Sequence, residues 1–434
     1  MNTVSQESPP ARGRSARNPW SWIPTLYFAQ GLPYVMVMTV SVIMYKRLGI
    51  SNTDIALYTS WLYLPWVIKP LWSPLVDMVR TKRFWIVTLQ LAVGVSLALV
   101  AFVLPLPTFF AFSLAVFWLM AFASATHDIA ADGYYMLALE QHQQAAFVGV
   151  RSTFYRVATI FGQGVLVVLA GYLESSTGNI PMSWAVTFGA LSALFLGLFL
   201  YHAFVLPFPA ADRSTRGESG FLADFVAVFK KFFARPGLAA IIGFLLFYRF
   251  AEAQLVKMVS PFLLDARADG GLGLGTSEVG FIYGVVGVAA LLAGGILGGV
   301  AIARKGLRYW LWPMALIMHL PDLAFVYLSQ AQPESRAIIT AAVAMEQFGY
   351  GFGFTAYMLY MIMIADGPHK TAHYAICTGF MALGMMIPGM WSGALQEAIG
   401  YSAFFLWVML STIPGFLVVA LAKVEPSFGK KKTE

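Results

Sequence analysis

Residues Trp61–Trp85 read WLYLPWVIKPLWSPLVDMVRTKRFW. The run is apolar apart from Lys69 in its second half, closes on Asp77, and passes Arg80, Lys82 and Arg83 before apolar sequence resumes at Phe84. Roughly 20 apolar residues match the hydrocarbon core of a bilayer, and a basic cluster at the exit of such a segment marks the cytoplasmic side. This stretch therefore predicts a membrane crossing and its direction. It also poses a question of charge, because Lys69 lies inside the apolar segment.

The whole chain agrees with that environment. Its 434 residues are 59% hydrophobic and 11% charged, with a mean hydropathy of +0.71, whereas a soluble domain is about one quarter charged. The net charge of +7 sits in short turns beside apolar segments, so it reads as topology and predicts no nucleic-acid partner. The single cysteine, Cys377, rules out an intrachain disulfide and any cysteine-rich metal centre, and no metal site is expected. Residues 1–21 are polar with Arg12, Arg14 and Arg17, and the apolar segment after them is too long for a signal-peptide core. They predict a retained cytoplasmic tail.

Twelve apolar segments follow, at about 22–44, 54–78, 84–104, 108–134, 146–170, 183–206, 238–264, 277–302, 309–329, 337–364, 372–396 and 401–422. An even number returns both termini to one side. On that side fall the N-terminal arginines, the Arg80–Arg83 cluster, Lys230, Lys231, Arg235, Arg304, Lys305, Arg308 and the C-terminal lysines; the other side holds only Lys46, Arg47, Arg267 and Arg336. The bias places both ends in the cytoplasm.

The pattern divides into a six-helix bundle over 22–206, a linker over 207–236, a second six-helix bundle over 237–422 and a basic tail over 423–434. Within the linker, apolar residues from Phe221 to Phe233 recur at helical spacing beside Lys230 and Lys231, the pattern of an amphipathic helix at the membrane interface. The two bundles echo each other. Thr53-Asp54-Ile55-Ala56-Leu57 parallels Ser277-Glu278-Val279-Gly280-Phe281, and Arg83-Phe84-Trp85 parallels Arg308-Tyr309-Trp310 at nearly the same offset. Weak internal similarity of this kind is what a duplicated transporter fold leaves, with its site between the halves near mid-membrane.

Several motifs carry a further likeness. Phe28-Ala29-Gln30-Gly31-Leu32-Pro33, Leu64-Pro65-Trp66 with Lys69, Pro74-Leu75-Val76-Asp77, and Ala125-Thr126-His127-Asp128-Ile129-Ala130-Ala131-Asp132 resemble the AmpG-like muropeptide permeases, as do Gly149-x-Arg151 and Tyr155-Arg156. That family is a branch of the major facilitator superfamily which also holds acetyl-coenzyme A transporters and some siderophore importers. His127 stands where the permeases usually show glutamine, and enterobacterial members carry two more spans. The resemblance implies an all-α membrane fold of two pseudo-symmetric six-helix bundles and transport driven by the proton gradient, without a cofactor.

The candidate site residues follow from the cost of charge in a membrane. An ion at the bilayer centre costs about 2.5–3.5 kcal/mol on insertion scales, so it should face a cavity or a partner. Asp77, Arg80, Lys82 and Arg83 resemble the superfamily's loop motif, which implies a gating latch. Lys69 fits either a structural pair with an acid of the fourth span or a solute contact. Asp128 and Asp132 share a face at the cytoplasmic end of that span, and Arg151, Arg156 or Lys69 can supply their counter-charge. We assign Asp132 and Arg151 to gating, and Lys69, Asp128 and Arg156 to the solute.

On the seventh span Arg249 and Glu252 lie near mid-membrane, either as a buried pair or as solute and proton sites; on the tenth, Glu346 precedes Gly349, Tyr350, Gly351 and Gly353. A carboxyl shielded from water holds its proton at higher pH than one in solvent, so Glu252 and Glu346 are the proton-coupling candidates. Tyr27, Gln30 and Tyr34 form one polar stripe on the first span, and with Arg249, Tyr350 and Tyr357 they suit a sugar or amide-bearing solute. His319 and Asp322 are left aside, because the ninth span is a peripheral support in the superfamily.

No P-loop, zinc-protease or nucleophile-elbow motif is present. His127 and Asp132 do match an acyltransferase H-x-x-x-x-D pattern, but i and i+5 share a helix face poorly. The expectation is a non-enzymatic symporter, working as a monomer in the bacterial cytoplasmic membrane with lipid and a small-molecule solute as its partners. An anhydro-muropeptide or its amino sugar is the leading solute; siderophore import, efflux of an amphipathic compound and a membrane acyltransferase are the alternatives.

Overall fold

The computed structural model describes residues 17–213, 221–365 and 370–430, without the side chains of Asp77, Gln141, Ala145 and residues 221–225. All regular structure among them is helical, as a bilayer requires of a chain that must satisfy every backbone group internally. Large apolar side chains lie on the outside, among them Phe102, Phe204, Ile296 and Leu421, while Glu252, Glu346 and Gln254 are fully buried. The polarity is that of a protein dissolved in lipid.

Among the described residues nine helical stretches are long and apolar enough to cross a membrane: Pro19–Arg47, Lys82–Val103, Phe109–Ala138, His142–Thr177, Ile180–Val205, Leu238–Leu264, Thr276–Lys305, Leu307–Ala331 and Lys370–Leu421. The last is two passes, because Gly400 at φ 76° and ψ 165° breaks it. Two more helical units complete the set. Asn52–Trp61 and Leu64–Val79 form the second span, interrupted at Leu62 and Tyr63, and Arg336–Ile364 forms the tenth. The count among the described residues is then twelve.

Two ends can be distinguished. At one, Arg17 donates to the Phe204 carbonyl, Tyr201 to that of Ser21, and Leu307 N to Phe428 O; we call this the terminal end. The linker helix Phe221–Phe233 also lies there; Phe232 is buried against His373, and the exposed Phe233 meets the Phe380 ring edge-on. It is therefore packed on the eleventh span as well as amphipathic.

The halves meet through two equivalent pairs of helices. The second span packs on the eleventh, where Gly393 touches the Asn52 carbonyl, and the eighth packs on the fifth, where Gly171 touches Ser277. The second and eighth spans are six apart, as are the fifth and eleventh, so the two pairs are equivalent and the repeat seen in sequence is a repeat of contacts. Both the fifth and eighth spans widen into π-helix where they cross, at Ile160–Leu166 and Gly280–Gly287, and such bulges collect at functional sites.

The far end is closed across the seam. Lys46 pairs with Asp265 at 2.6 Å, Asn52 donates to Gln396 at 2.6 Å and to Tyr401 at 2.9 Å, Thr53 donates to Glu397 at 2.5 Å, and Thr276 donates to Glu174 at 2.6 Å. Toward the terminal end the fifth and eighth spans diverge. A cleft of about 500 Å³ opens there between Arg156 of one half and Gly295, Gly351, Phe354 and Met358 of the other.

The crossing point sets a steric test. A Cβ on Gly284 would stand 2.1 Å from the Gln163 carbonyl oxygen, a backbone atom that cannot rotate away. Gly284→Ala is expected to lower stability by about 1–3 kcal/mol, the range for overpacking, read as a lower unfolding temperature in detergent. Gly189→Ala, with nothing within 4 Å, should unfold at the parent temperature or above it.

Candidate functional site

The seam between the bundles brings polar groups together at mid-depth. On the first bundle Lys69 Nζ lies 3.6 Å from Asp128 Oδ2, which also accepts from Trp66 Nε1 at 3.2 Å. The Trp66 indole stands edge-on to Tyr34 at 5.2 Å. Lys69 thus finds both proposed surroundings at once, an acid partner on the fourth span and an aromatic wall on the seam.

The facing wall comes from a broken helix. The seventh span stops at Phe247 and restarts at Phe250, leaving Arg249 between the two pieces at φ −110° and ψ 20°. Its guanidinium contacts the Tyr350 hydroxyl and lies over the rings of Phe354 at 4.7 Å and Tyr350 at 5.2 Å. Cation–π contact of this kind holds a guanidinium without neutralising it. Arg249 is 7% exposed and interacts electrostatically with Tyr34 and Tyr63 across the seam.

Behind Arg249 lies a group of acids. Ligand oxygens of Glu252, Asp322 and Glu346 fall within 4.8 Å of one another, and all three residues are buried. Gln347 donates to Glu346 at 2.9 Å, but both oxygens of Glu252, both of Asp322 and the second of Glu346 have no hydrogen-bond partner. Among the described residues no ion pair joins Arg249 to Glu252, and Glu252 lies instead in a three-carboxyl cluster. Like charges so close disfavour joint ionisation. The cluster can share protons, and its oxygen-only donor set is also of the kind that holds a hard cation.

A family model described as the Major Facilitator Superfamily matches residues 25–366. The chain belongs to the Major Facilitator Superfamily. It is 24% identical over 411 residues to transporter AmpG 4 of Rickettsia conorii, covering 91% of this chain and 94% of that one. It is 23% identical over 410 residues to the anhydromuropeptide permease of Escherichia coli K12, covering 92% and 78%. Among solved structures, the nucleoside transporter NupG aligns at a TM-score of 0.67 with 16% identity, over 92% of this chain and 99% of that one. A D-xylose-proton symporter aligns at 0.65 with 15% identity, over 94% and 98%. The chain is a multi-pass membrane transporter and not an enzyme.

Within this superfamily fold the remaining sequence candidates take varied places. Gln30 is buried on the first span near Asp128. Tyr27 does not join Gln30 and Tyr34: its hydroxyl reaches Asp132 at 3.4 Å, and Arg151 lies 4.6 Å from its ring and 5.0 Å from that of Tyr135, the two rings standing edge to face. Arg151 in turn pairs with Asp132 at 2.8 Å. Asp128 and Asp132, on one face, thus take different cations. Tyr357 is also withdrawn from the solute wall, since it is fully buried, donates to Leu245 O at 2.6 Å and stacks on Tyr248. Its face of the tenth span packs inward on the seventh.

The expected latch is engaged within one bundle. Arg80 lies over Phe84, and Arg83 donates to Ala203 O and Leu206 O at the end of the sixth span while its guanidinium covers Phe208 at 3.8 Å. Asp212 caps the third span by accepting from the backbone N–H of Lys82 and Arg83 at 2.7 and 3.0 Å, an anion at a helix N-terminus. The Asp77 side chain lies outside the described residues.

His127 is buried in a chain of contacts, to Gln90 at 3.1 Å, from Gln90 to His202 at 2.8 Å, and from His202 to Thr25 at 2.9 Å. It ties spans together inside the first bundle. Asp322, which the sequence reading sets aside with His319, lies in the cluster. Pro321 interrupts the ninth span with a 3-10 turn at Leu320–Asp322, which carries the carboxyl inward; the proline beside an intramembrane acid was the available signal.

If the three carboxyls crowd without a cation, removing one relieves the site. Asp322→Asn is expected to unfold at the parent temperature or above it in detergent. A fall of several degrees would show instead that a counter-charge holds Asp322 in place.

Proposed function

We propose that this chain is a proton-coupled symporter of the bacterial cytoplasmic membrane, importing a bulky polar solute as a monomer with its terminal end in the cytoplasm. The leading solute is an anhydro-muropeptide or its amino sugar. The observation that carries this reading is the uncompensated carboxyl cluster behind Arg249, at the seam of two bundles closed at one end and parted at the other.

The chemistry runs from that geometry. With the far end open, Glu252 and Glu346 take up protons. The Arg249 guanidinium then meets an acidic or carbonyl group of the solute, while Lys69, Asp128, Arg156, Gln30, Tyr34 and Tyr350 offer both charge signs and hydroxyls to its remaining polar groups. Closure of the far end and parting of the terminal end deliver both to the cytoplasm, where the protons leave. The positive-inside bias of the turns supports this orientation, and similarity to the Escherichia coli anhydromuropeptide permease supports the solute class.

Proteoliposomes under an imposed pH gradient provide the test, with labelled anhydro-muropeptide, amino sugar and ferric siderophore offered in parallel. Glu252→Gln and Glu346→Gln should each reduce gradient-driven accumulation at least tenfold and leave counterflow exchange intact. Normal accumulation by both variants would reduce those acids to a structural role, and uptake of the siderophore alone would reassign the solute.

A further inference from the structure

Among the described residues one buried lysine has no carboxylate within ion-pair distance. Lys257 lies on the seventh span, five residues beyond Glu252 toward the far end, and is 5% exposed. Its Nζ donates across the seam to Thr59 Oγ1 at 2.9 Å, and Tyr63, also of the second span, presents its ring at 5.7 Å. Thr59 spends its own proton on the Ile55 carbonyl at 2.6 Å, so its hydroxyl oxygen faces the ammonium as an acceptor.

The surroundings are polar beyond what a packing lysine needs. Ser60 Oγ is fully buried without a hydrogen-bond partner, and the backbone at Gly389 brings it alongside Lys257: a Cβ there would lie 2.6 Å from Ser60 Oγ and 3.5 Å from Lys257 Cε. A cavity of about 10 Å³ adjoins, lined by Thr39, Tyr63, Lys257 and Ser260 among others, about the volume of one water molecule. An ammonium removed from water at such a place carries a desolvation cost of several kcal/mol that one hydroxyl and one ring offset only in part.

The contact also straddles the moving boundary. Thr59 and Tyr63 belong to the first bundle and Lys257 to the second, so opening the far end separates them. The ammonium is then left on the wall of a cavity facing the far side, and the nearest complement is whatever enters.

We propose that Lys257 is the anion-recognising residue of the far-side-open state, receiving a carboxylate of the incoming solute. On closure it returns to Thr59 and Tyr63, which together hold it too weakly to compete with a carboxylate but well enough to let the solute go. The site therefore selects carboxylate-bearing solutes. This rests on the alternating-access reading above and deepens it.

The experiment compares an anhydro-muramyl peptide with its fully amidated counterpart in proteoliposomes of the full chain. Wild type should take up the acid with a KM at least tenfold below that of the amide. Lys257→Met should raise the KM for the acid tenfold or more, leave the amide unchanged and keep the maximal rate, and Lys257→Arg should restore the preference. An acid-to-amide ratio unchanged in Lys257→Met overturns the inference while transport itself stands.

If wild type carries neither probe, the muropeptide assignment fails, and the inference is decided by access. Lys257→Cys in a Cys377→Ala background should react with a membrane-impermeant maleimide added from the far side. A cysteine there that never reacts from that side overturns it.

Discussion

Every feature of this structure answers to one constraint, that a charge inside a bilayer must have a partner or a route to water. The chain meets it in three ways. Lys69 with Asp128, and Arg151 with Asp132, are paired within the first bundle. Arg249 is held by rings and a hydroxyl, which leaves its charge available. Of the acids behind it, Glu346 accepts one bond from Gln347 and Asp322 has His319 Nδ1 at 3.7 Å, while both oxygens of Glu252 lack a hydrogen-bond partner, an arrangement that protons or an entering ion can complete. The gradient from paired to unpaired runs from the first bundle into the second.

That asymmetry separates scaffold from working parts. The first bundle buries a neutral chain from His127 through Gln90 and His202 to Thr25, each member satisfied. Among the described residues the second buries six carboxyl and imidazole atoms without hydrogen-bond partners, on Glu252, His319, Asp322 and Glu346. Satisfied networks rigidify, and unsatisfied ones mark where a structure waits for a ligand or a second conformation. The helix break at Arg249, the 3-10 turn at Pro321 and the glycines before Tyr350 all fall around the unsatisfied group. Irregular backbone and uncompensated charge share one location because a regular helix would point these side chains elsewhere.

Much of this was legible in the sequence because lipid exposure imposes simple rules. Apolar length gave the spans, and the six-plus-six division followed from one polar linker. Lys69 with Asp128 was legible because both sit in quoted motifs on adjacent spans. Asp322 was not, since its role depends on a ninth-span irregularity that turns it toward the seventh and tenth. Tyr27 and Tyr357 share stripes with Tyr34 and Tyr350, yet the first helix presents Tyr27 to the fourth and fifth spans, and the tenth buries Tyr357 against the seventh. Helical spacing fixes which residues share a face; it does not fix which face meets the cavity.

The closed far end explains the last discrepancy, between an expected latch and the contacts found. A two-ended carrier holds one set of cross-seam contacts at a time. Here Lys46 with Asp265, Asn52 with Gln396 and Tyr401, and Thr276 with Glu174 are made, so Arg83 at the opposite end turns back onto its own bundle. Its guanidinium on the Ala203 and Leu206 carbonyls occupies the last turn of the sixth span, where the helix dipole favours a cation. A resting place within one bundle keeps the latch from being left unsatisfied while the cleft beside Arg156 is open. Lys257 plays the same part at the other end with the states exchanged: satisfied by Thr59 when the far side is shut, and in need of an anion when it opens.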